Sequence, residues 1–308
     1  MERGRQGRLP AVQQRSLIAR ALLIGVLALG LVAGARDLSR SWFFPLERSQ
    51  LDLRVLYCGG RAANAGANPY ALEPIRTCEH EFPTRLMIAS PNLAFPFTLP
   101  GYDLGPIELL ARLPLGAAST MFVALTLLAL AGAIVLVSRT LGMAWWIPAA
   151  ALTLSVGFTS LPLGQPGALE LLALAATGWA LASGRDRWAG ILAVLTLFEP
   201  HVGGFVVVAV AVLVPRARLA LAIGCAVLIA LALTWSTFAT QIAYLTVFVP
   251  GQAASEVHSP EQYGLTYLLA LLGVSDGIAL AIGSAWTLAM LIAAVPLARA
   301  CSARGGRA

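Results

Sequence analysis

The residues best suited to chemistry lie together in one polar segment near the N-terminus. It runs from Asp52 to Tyr70 and contains one carboxylate, two arginines, two tyrosines and a cysteine. A carboxylate can accept a proton from a hydroxyl group as a general base. Arginine can hold a phosphate group through paired hydrogen bonds. We therefore expect the chemistry of this protein in this segment, with Asp52 as the first candidate for a catalytic residue.

The composition indicates the kind of protein that must position these residues. Of the 308 residues, 58% are hydrophobic and only 12% are charged, and the mean hydropathy is +0.78. A soluble globular domain carries about 25% charged residues. These values predict an all-α, polytopic membrane protein. The net charge of +6 comes entirely from arginines, which lie mainly at the edges of apolar stretches and form no basic stripe with interleaved aromatic residues, so no nucleic-acid partner is predicted.

Eight apolar stretches are candidates for membrane spans, since a helix needs about 20 apolar residues to cross a bilayer. They cover residues 17–35, 116–137, 144–161, 168–182, 188–198, 202–214, 219–238 and 278–298. The loops rich in arginine all fall on the side of the N-terminus, which the positive-inside rule assigns to the cytoplasm. We expect a cytoplasmic arm over 1–16, a membrane domain over 17–298 with a large first outer loop over 36–115, and a cytoplasmic tail over 299–308.

Acidic residues and histidines gather on the predicted outer side, which indicates one cavity on that face. Ionisable groups at membrane depth are costly and usually functional. For Glu170, stabilisation by the dipole at a helix start is an alternative. The Glu199-Pro200-His201 break either lines the cavity or forms a polar turn at the interface. The group comprises Asp52, Glu170, Glu199, His201, Glu256, His258, Glu261 and Asp276.

Two cysteines, Cys58 and Cys78, share the first outer loop and lie 20 positions apart. If the loop faces an oxidising compartment, a disulfide between them is expected. Metal binding is the weaker alternative, because no CxxC spacing or histidine pair accompanies them. No metal and no cofactor is predicted.

Several motifs carry a resemblance to a known family. Asp52 is followed by Tyr-Cys-Gly-Gly-Arg-Ala over 57–62, Gly-Ala-Asn-Pro-Tyr over 66–70 and Glu-Pro-Ile-Arg-Thr-Cys over 73–78. Weaker similarities follow at 164–166, 198–203 and 262–267. Together these motifs resemble the polyprenol-phosphate-sugar-dependent membrane glycosyltransferases of glycosyltransferase family 87, in the GT-C superfamily.

The resemblance implies a GT-C-like helical bundle in a bacterial-type inner membrane, with its active face outside. It implies transfer of a hexose, with mannose as the first candidate, from a polyprenyl-phosphate donor to a lipid or cell-envelope glycan acceptor. Asp52 would be the catalytic base; its alternative role is a structural salt bridge with Arg54 or Arg61. The candidate substrate-binding residues are Arg54, Tyr57, Arg61, Tyr70, Arg76, Gln165, Glu199, His201 and His258.

Two departures from the family keep other functions open. The family often has Lys-Pro where this chain has Glu199-Pro200, so the phosphate contact would have to come from an arginine. The chain is also shorter than is typical of the family. The alternatives are a membrane transporter or lipid-binding protein, and a catalytically inactive GT-C relative. A transporter would be favoured by inverted repeats and by charges at the membrane midplane, and neither is visible in the sequence.

Overall fold

The protein is helical throughout the part that the structure describes. The computed structural model describes residues 50–83, 95–154, 158–258 and 264–305, together with Gly25. No strand occurs within these ranges, which confirms the all-α prediction. The predicted span 17–35 lies outside the described residues, apart from Gly25.

Fourteen α-helices can be assigned in these ranges, with short 3₁₀ or π turns between some of them. They are α1 (Leu51–Asn64), α2 (Leu72–Glu81), α3 (Leu104–Leu110), α4 (Leu115–Leu141), α5 (Trp146–Leu152), α6 (Phe158–Leu163), α7 (Gly167–Ala182), α8 (Asp186–Leu195), α9 (Pro200–Leu213), α10 (Arg218–Trp235), α11 (Phe238–Ala243), α12 (Val249–Glu256), α13 (Leu265–Leu271) and α14 (Asp276–Gly305).

The first loop folds into a helical unit with its own apolar core. α1 buries Leu53, Leu56 and Tyr57 against α2, α3 and residues 95–99. A disulfide joins Cys58 of α1 to Cys78 of α2, with Cα atoms 5.6 Å apart. The segment that the sequence marks as chemically rich is thus held as a rigid helix pair beside the membrane bundle.

Among the described residues, two helical segments are long and apolar enough to cross a membrane. They are Leu115–Leu141 and Pro215–Trp235, with mean hydropathies of 2.6 and 2.2. At 1.5 Å per residue they are roughly 40 and 30 Å long, which matches or exceeds the hydrocarbon core of a bilayer. Only 28% and 17% of their most apolar windows are buried, so most of their surface is available to lipid. They correspond to the predicted spans 116–137 and 219–238.

The predicted spans 168–182, 188–198 and 202–214 map onto shorter helices, whereas the predicted span 278–298 falls within the 30-residue α14. α7 and α9 are apolar but have only 16 and 14 residues. The predicted span 144–161 contains α5 and α6, and residues 155–157 between them are not described. The count of eight spans therefore stays a prediction.

The order of the bundle places the connecting turns at two opposite ends. α7 packs between α4 and α8, and α8 packs against both α9 and α10. The turn before α7 and the turn between α8 and α9 lie at one end. The turns 183–185 and 214–217 lie at the other end. Candidate site residues concentrate at the first of these ends.

Candidate active site

Asp52 lies in the first turn of α1, where the helix dipole favours a carboxylate. It is partly buried. The preceding Gln50 fixes this end of the helix, because its side-chain amide donates to the carbonyl of Leu161 (3.1 Å) and accepts a hydrogen bond from the Ser119 hydroxyl. Gln50 is itself 1% exposed. Asp52 is therefore presented from a helix start that is anchored to both α4 and α6.

The turn before α7 packs directly on the same helix start. Gly164 has a φ of +74°, and a Cβ atom built on it would lie 2.5 Å from the Leu53 Cβ. Both the backbone conformation and the close approach require glycine there. The contact places Gln165 beside the first turn of α1. It also places the first turn of α7, which carries the buried Glu170, at this end of the bundle.

Glu199 lies where the polypeptide turns from α8 into α9. Pro200 is the first residue of α9, a position that suits proline because its missing N–H has no helical partner there. His201 follows, and its Nε2 lies 3.3 Å from the Glu199 carboxylate. Glu199 also interacts electrostatically with Asp52 and with Glu170. The structure thus brings four residues from the predicted outer group together.

Asp103 joins this group although the sequence analysis did not select it. It ends a 3₁₀ turn over Gly101–Asp103 and is 6% exposed. Its Oδ2 atom has no hydrogen-bond partner among the described residues. Burial raises the pKa of Asp103 well above its ordinary value, and the nearby charge of Glu199 raises it further. We call Asp52, Asp103, Glu170 and Glu199 the carboxylate cluster.

Close packing of the 3₁₀ turn explains why Asp103 is buried. A Cβ atom on Gly101 would lie 2.1 Å from the Gln241 side chain, and one on Gly105 would lie 2.1 Å from the Trp235 ring. The hydroxyl of Tyr102 donates to the Leu197 carbonyl at 2.7 Å. These contacts dock the turn between the end of α10 and the α8–α9 connection. The sequence feature that could have pointed to Asp103 is a single acidic residue in the run Gly-Tyr-Asp-Leu-Gly over 101–105.

An aromatic group borders the cluster on the Asp103 side. The Tyr70 ring lies 5.4 Å from the Tyr244 ring and 5.8 Å from the Phe248 ring, measured between centroids. The Tyr70 hydroxyl donates to the Leu99 carbonyl at 2.8 Å. Burial raises the pKa of Tyr244 to about 12, and the charge of Asp103 acts in the same direction. The Tyr70 ring therefore forms part of the wall of the site, and its hydroxyl is hydrogen-bonded to the backbone.

The three predicted arginine contacts are held within the α1–α2 unit, each near an acid. Arg61 pairs with Glu81, and Arg76 pairs with Glu73 at 2.7 Å. Arg54 is 1% exposed and interacts electrostatically with Glu79. The structure does not place any of the three within the carboxylate cluster.

The helical repeat places Arg54 and Asp52 on different sides of α1. Residues two apart on a helix point in nearly opposite directions. Burial lowers the pKa of Arg54 to about 10, an effect that Glu79 opposes, so the guanidinium stays charged at neutral pH. Arg61 is nine residues further along α1 than Asp52, or roughly 13 Å along the helix axis. The geometry of an α-helix therefore does not favour either arginine as a direct salt-bridge partner of Asp52.

Two other predicted residues also have local partners. The hydroxyl of Tyr57 donates to the Leu113 carbonyl at 2.8 Å, and its ring is 5% exposed. His258 lies 3.0 Å from Asp276, and both side chains are largely exposed. Among the predicted site residues, then, Asp52, Gln165, Glu199 and His201 meet at one end of the bundle.

The arrangement can accept hydrogen bonds and protons from a hydroxyl-rich molecule. Carboxylates are strong acceptors of hydroxyl protons. Three of them come from helix starts, where the partial positive charge of the backbone limits their mutual repulsion. No group of three or more His, Cys, Asp or Glu side chains suited to a metal ion occurs among the described residues. Fold and site together define an all-helical membrane protein with an acidic site at one end of its bundle.

Comparison with known families supplies the class of reaction. The sequence model of glycosyltransferase family 87 matches residues 105–308. This is well over half of the chain, and the protein belongs to glycosyltransferase family 87. Members of this family are membrane proteins, and the two long apolar helices agree with that.

The family match includes only part of the candidate site. It begins within α3, so it contains Glu170, Glu199 and His201 but neither Asp52 nor Asp103. The motifs of the first loop, on which the resemblance mainly rested, lie outside it. No curated protein and no solved structure matches the chain.

Proposed function

We propose that the protein transfers a hexose, with mannose as the first candidate, from a polyprenyl-phosphate carrier to a lipid or cell-envelope glycan acceptor. Membership of family 87 supports glycosyl transfer as the reaction. The observation that carries the proposal is the position of Asp52, a partly buried carboxylate at an anchored helix start beside Glu199. We place the reaction on the outer face of a bacterial-type inner membrane, because the arginine-rich loops lie at the opposite end of the bundle.

In the proposed reaction Asp52 is the general base. The acceptor hydroxyl gives its proton to the Asp52 carboxylate while its oxygen bonds to the anomeric carbon. The bond between that carbon and the phosphate oxygen breaks, and polyprenyl phosphate leaves with the electron pair. Glu199 lies close enough to Asp52 to interact with it electrostatically.

For the phosphate contact we propose a residue other than the three predicted arginines. Arg54, Arg61 and Arg76 are each held near an acid of the α1–α2 unit. His201 has a side chain that is 73% exposed, and it lies in the first turn of α9. Pro200 has no N–H, and the N–H groups of Val202 and Gly203 already donate to the Glu199 carbonyl. We therefore assign the phosphate contact to His201 at the start of α9, through its backbone N–H and its exposed side chain.

The exposed apolar helices offer a place for the polyprenyl chain. Leu115 begins α4 at the end of the bundle that carries Asp52, because Ser119 in its second turn bonds to Gln50. Most of the apolar surface of α4 is not covered by protein. A donor with its phosphate at α9 can therefore keep its hydrocarbon chain in the bilayer, along the bundle, while the sugar reaches Asp52.

The test is transfer of a labelled sugar by the purified full-length protein in proteoliposomes. The donors to compare are polyprenyl-phosphate mannose, polyprenyl-phosphate glucose and a nucleotide sugar, each with an envelope lipid extract as acceptor. We expect transfer from a polyprenyl-phosphate donor and none from the nucleotide sugar. Efficient use of the nucleotide sugar would refute the carrier, and absence of transfer from every donor would refute the activity in favour of a lipid-binding or transport role.

A further inference from the structure

A second polar site lies at the end of the bundle opposite the carboxylate cluster. The turn between α7 and α8 and the turn between α9 and α10 enclose a groove there. We call it the arginine groove and define it by its lining residues: Gly184, Arg185, Asp186, Arg187, Trp188 and Arg216.

Close backbone packing holds the two turns together. A Cβ atom on Gly190 of α8 would lie 2.6 Å from the Ala217 carbonyl oxygen and 3.0 Å from the Leu221 nitrogen. Only glycine permits that approach. The contact presses the 3₁₀ turn over Pro215–Ala217 against α8, and so keeps Arg216 facing the turn that carries Arg185 and Arg187. The proximity of the three arginines is thus built into the backbone.

The charge of the groove is not balanced by the described residues. Three arginines face one acid, Asp186. The Arg185 guanidinium lies over the Trp179 ring at 4.7 Å, a cation–π contact that orients it and leaves its charge uncompensated. Neither Arg187 nor Arg216 forms an ion pair or a side-chain hydrogen bond with any described residue. Like charges fixed close together repel, and an anion bound between them removes the repulsion.

Exposed tryptophans show what surrounds the groove. Trp188 of the groove is 59% exposed. Trp145 and Trp146 follow the C-terminal end of α4, at the same end of the bundle, and are 69% and 55% exposed. Tryptophan is enriched where a membrane protein crosses the boundary between headgroups and hydrocarbon. Positive charge beside exposed indole rings at this depth matches a phospholipid, whose phosphate and acyl chains would meet both.

We propose that the arginine groove binds the headgroup of an anionic phospholipid. Arg187 and Arg216 contact the headgroup phosphate, and Trp188 packs against the glycerol and the first carbons of the acyl chains. The lipid then links the α7–α8 turn to the α9–α10 turn by neutralising their shared charge. The proposal is independent of the sugar-transfer reaction and of Asp52.

The test is lipid titration followed by native mass spectrometry of the detergent-solubilised full-length protein. The wild type should retain phosphatidylglycerol more tightly than phosphatidylcholine. An arginine near a membrane surface contributes roughly 1 kcal/mol to binding of anionic lipid, or about a fivefold change in affinity. Arg187→Gln and Arg216→Gln should each weaken phosphatidylglycerol binding by about that factor, and the double variant by roughly 25-fold.

Arg139→Gln is the matched control. Arg139 is also an exposed arginine, in the last turn of α4 at the same end of the bundle, but it does not line the groove. The control should bind phosphatidylglycerol as the wild type does. An equal loss in all three single variants, or no loss in either groove variant, would overturn the proposal.

Two measurements on the wild type apply even if a variant fails to fold. Raising NaCl from 50 to 500 mM should weaken phosphatidylglycerol binding several-fold, because the contact is between charges. Inorganic phosphate at the same concentration as the lipid should not displace it. Binding that is insensitive to salt, or displacement by an equal concentration of phosphate, would show that the groove does not hold a lipid headgroup in the way described.

Discussion

The four acids of the carboxylate cluster occupy different environments, and this sets their roles. Asp103 and Glu170 are buried, whereas Asp52 is only partly buried. The pKa of Asp103 is raised well above its ordinary value, chiefly by burial, which favours its protonated form. A neutral Asp103 lowers the repulsion within the cluster. Asp52 is the more accessible acid, and an acceptor hydroxyl can reach it.

A buried acid outside the cluster gives a pH-dependent prediction at the residue scale. Glu79 is fully buried, and burial raises its pKa from 4.5 to about 7, while the Phe95 N–H and the charge of Arg54 oppose the shift. Its contribution to stability is complete below pH 4.5 and is lost as the pH rises toward 7. The loss amounts to about 3 kcal/mol at most. Relative to the wild type, Glu79→Gln should therefore become progressively more stable between pH 4.5 and 7.

Thermal unfolding across this pH range measures the effect. The difference in melting temperature between Glu79→Gln and the wild type should grow up to pH 7 and then stay constant. Glu73→Gln is the control, because Glu73 lies in the same helix with a side chain that is 75% exposed. If the Glu79→Gln difference were the same at every pH, the buried acid would not titrate as described.

The sequence could predict part of the site at this scale. Alternation of the loops was sufficient to place Asp52, Glu170, Glu199 and His201 on one side. The contribution of Asp103 could not be predicted, because its burial depends on contacts of Gly101 with Gln241 and of Gly105 with Trp235, both far away in the sequence. The acidic neighbours of Arg54 and Arg61 could not be predicted either, because they depend on how α1 packs against α2.

At the scale of the elements, Gly203 in α9 controls the position of Glu199 and His201, whereas the adjacent Gly204 does not. A Cβ atom on Gly203 would lie 2.0 Å from the Thr196 carbonyl oxygen, whereas one on Gly204 would have no neighbour within 4 Å. Gly203→Ala should push the start of α9 away from the α8 end, at a cost of about 1–3 kcal/mol. Gly204→Ala should be neutral or stabilising by up to about 1 kcal/mol, since alanine favours a helix.

The two alanine variants form a matched pair for this prediction. Their melting temperatures and their rates of sugar transfer should be measured together. Gly203→Ala should lower both quantities, and Gly204→Ala should lower neither. Equal behaviour of the two would contradict the close contact between α9 and the Thr196 carbonyl.

Long helices were easier to predict than the connections between them. The spans 116–137 and 168–182 agree closely with α4 and α7, because long apolar runs leave the backbone no partner but itself in lipid. The polar turn at Glu199-Pro200 was also visible in the sequence. The packing of the Gly101–Asp103 turn against α10 was not, because no local pattern encodes a contact between distant segments.

At the scale of the whole molecule, the two ends of the bundle carry opposite charge. The carboxylate cluster occupies one end and the arginine groove the other. From the positive-inside rule we expect the arginine end to face the cytoplasm and the acids to face outward. This orientation can be tested with a membrane-impermeant maleimide in a background that lacks Cys225 and Cys301.

Single cysteines at the two ends should label differently. Glu73→Cys in α2 should react in intact cells, and Ser183→Cys in the exposed α7–α8 turn should react only after lysis. Labelling of both positions in intact cells would contradict a sealed, oriented bundle. The reverse pattern would place the carboxylate cluster in the cytoplasm and remove the outer location of the reaction.

The role of Asp52 is tested most directly by the rate of sugar transfer in proteoliposomes for Asp52→Asn. Asparagine keeps the size of the side chain and its acceptor oxygen but cannot take up the proton. Loss of a general base lowers kcat by roughly 10²–10⁴-fold. We expect a loss in this range with little change in KM for the donor, and wild-type rates for Glu73→Gln, an exposed acid in the first turn of the neighbouring α2. A rate for Asp52→Asn equal to that of the wild type would contradict the central claim.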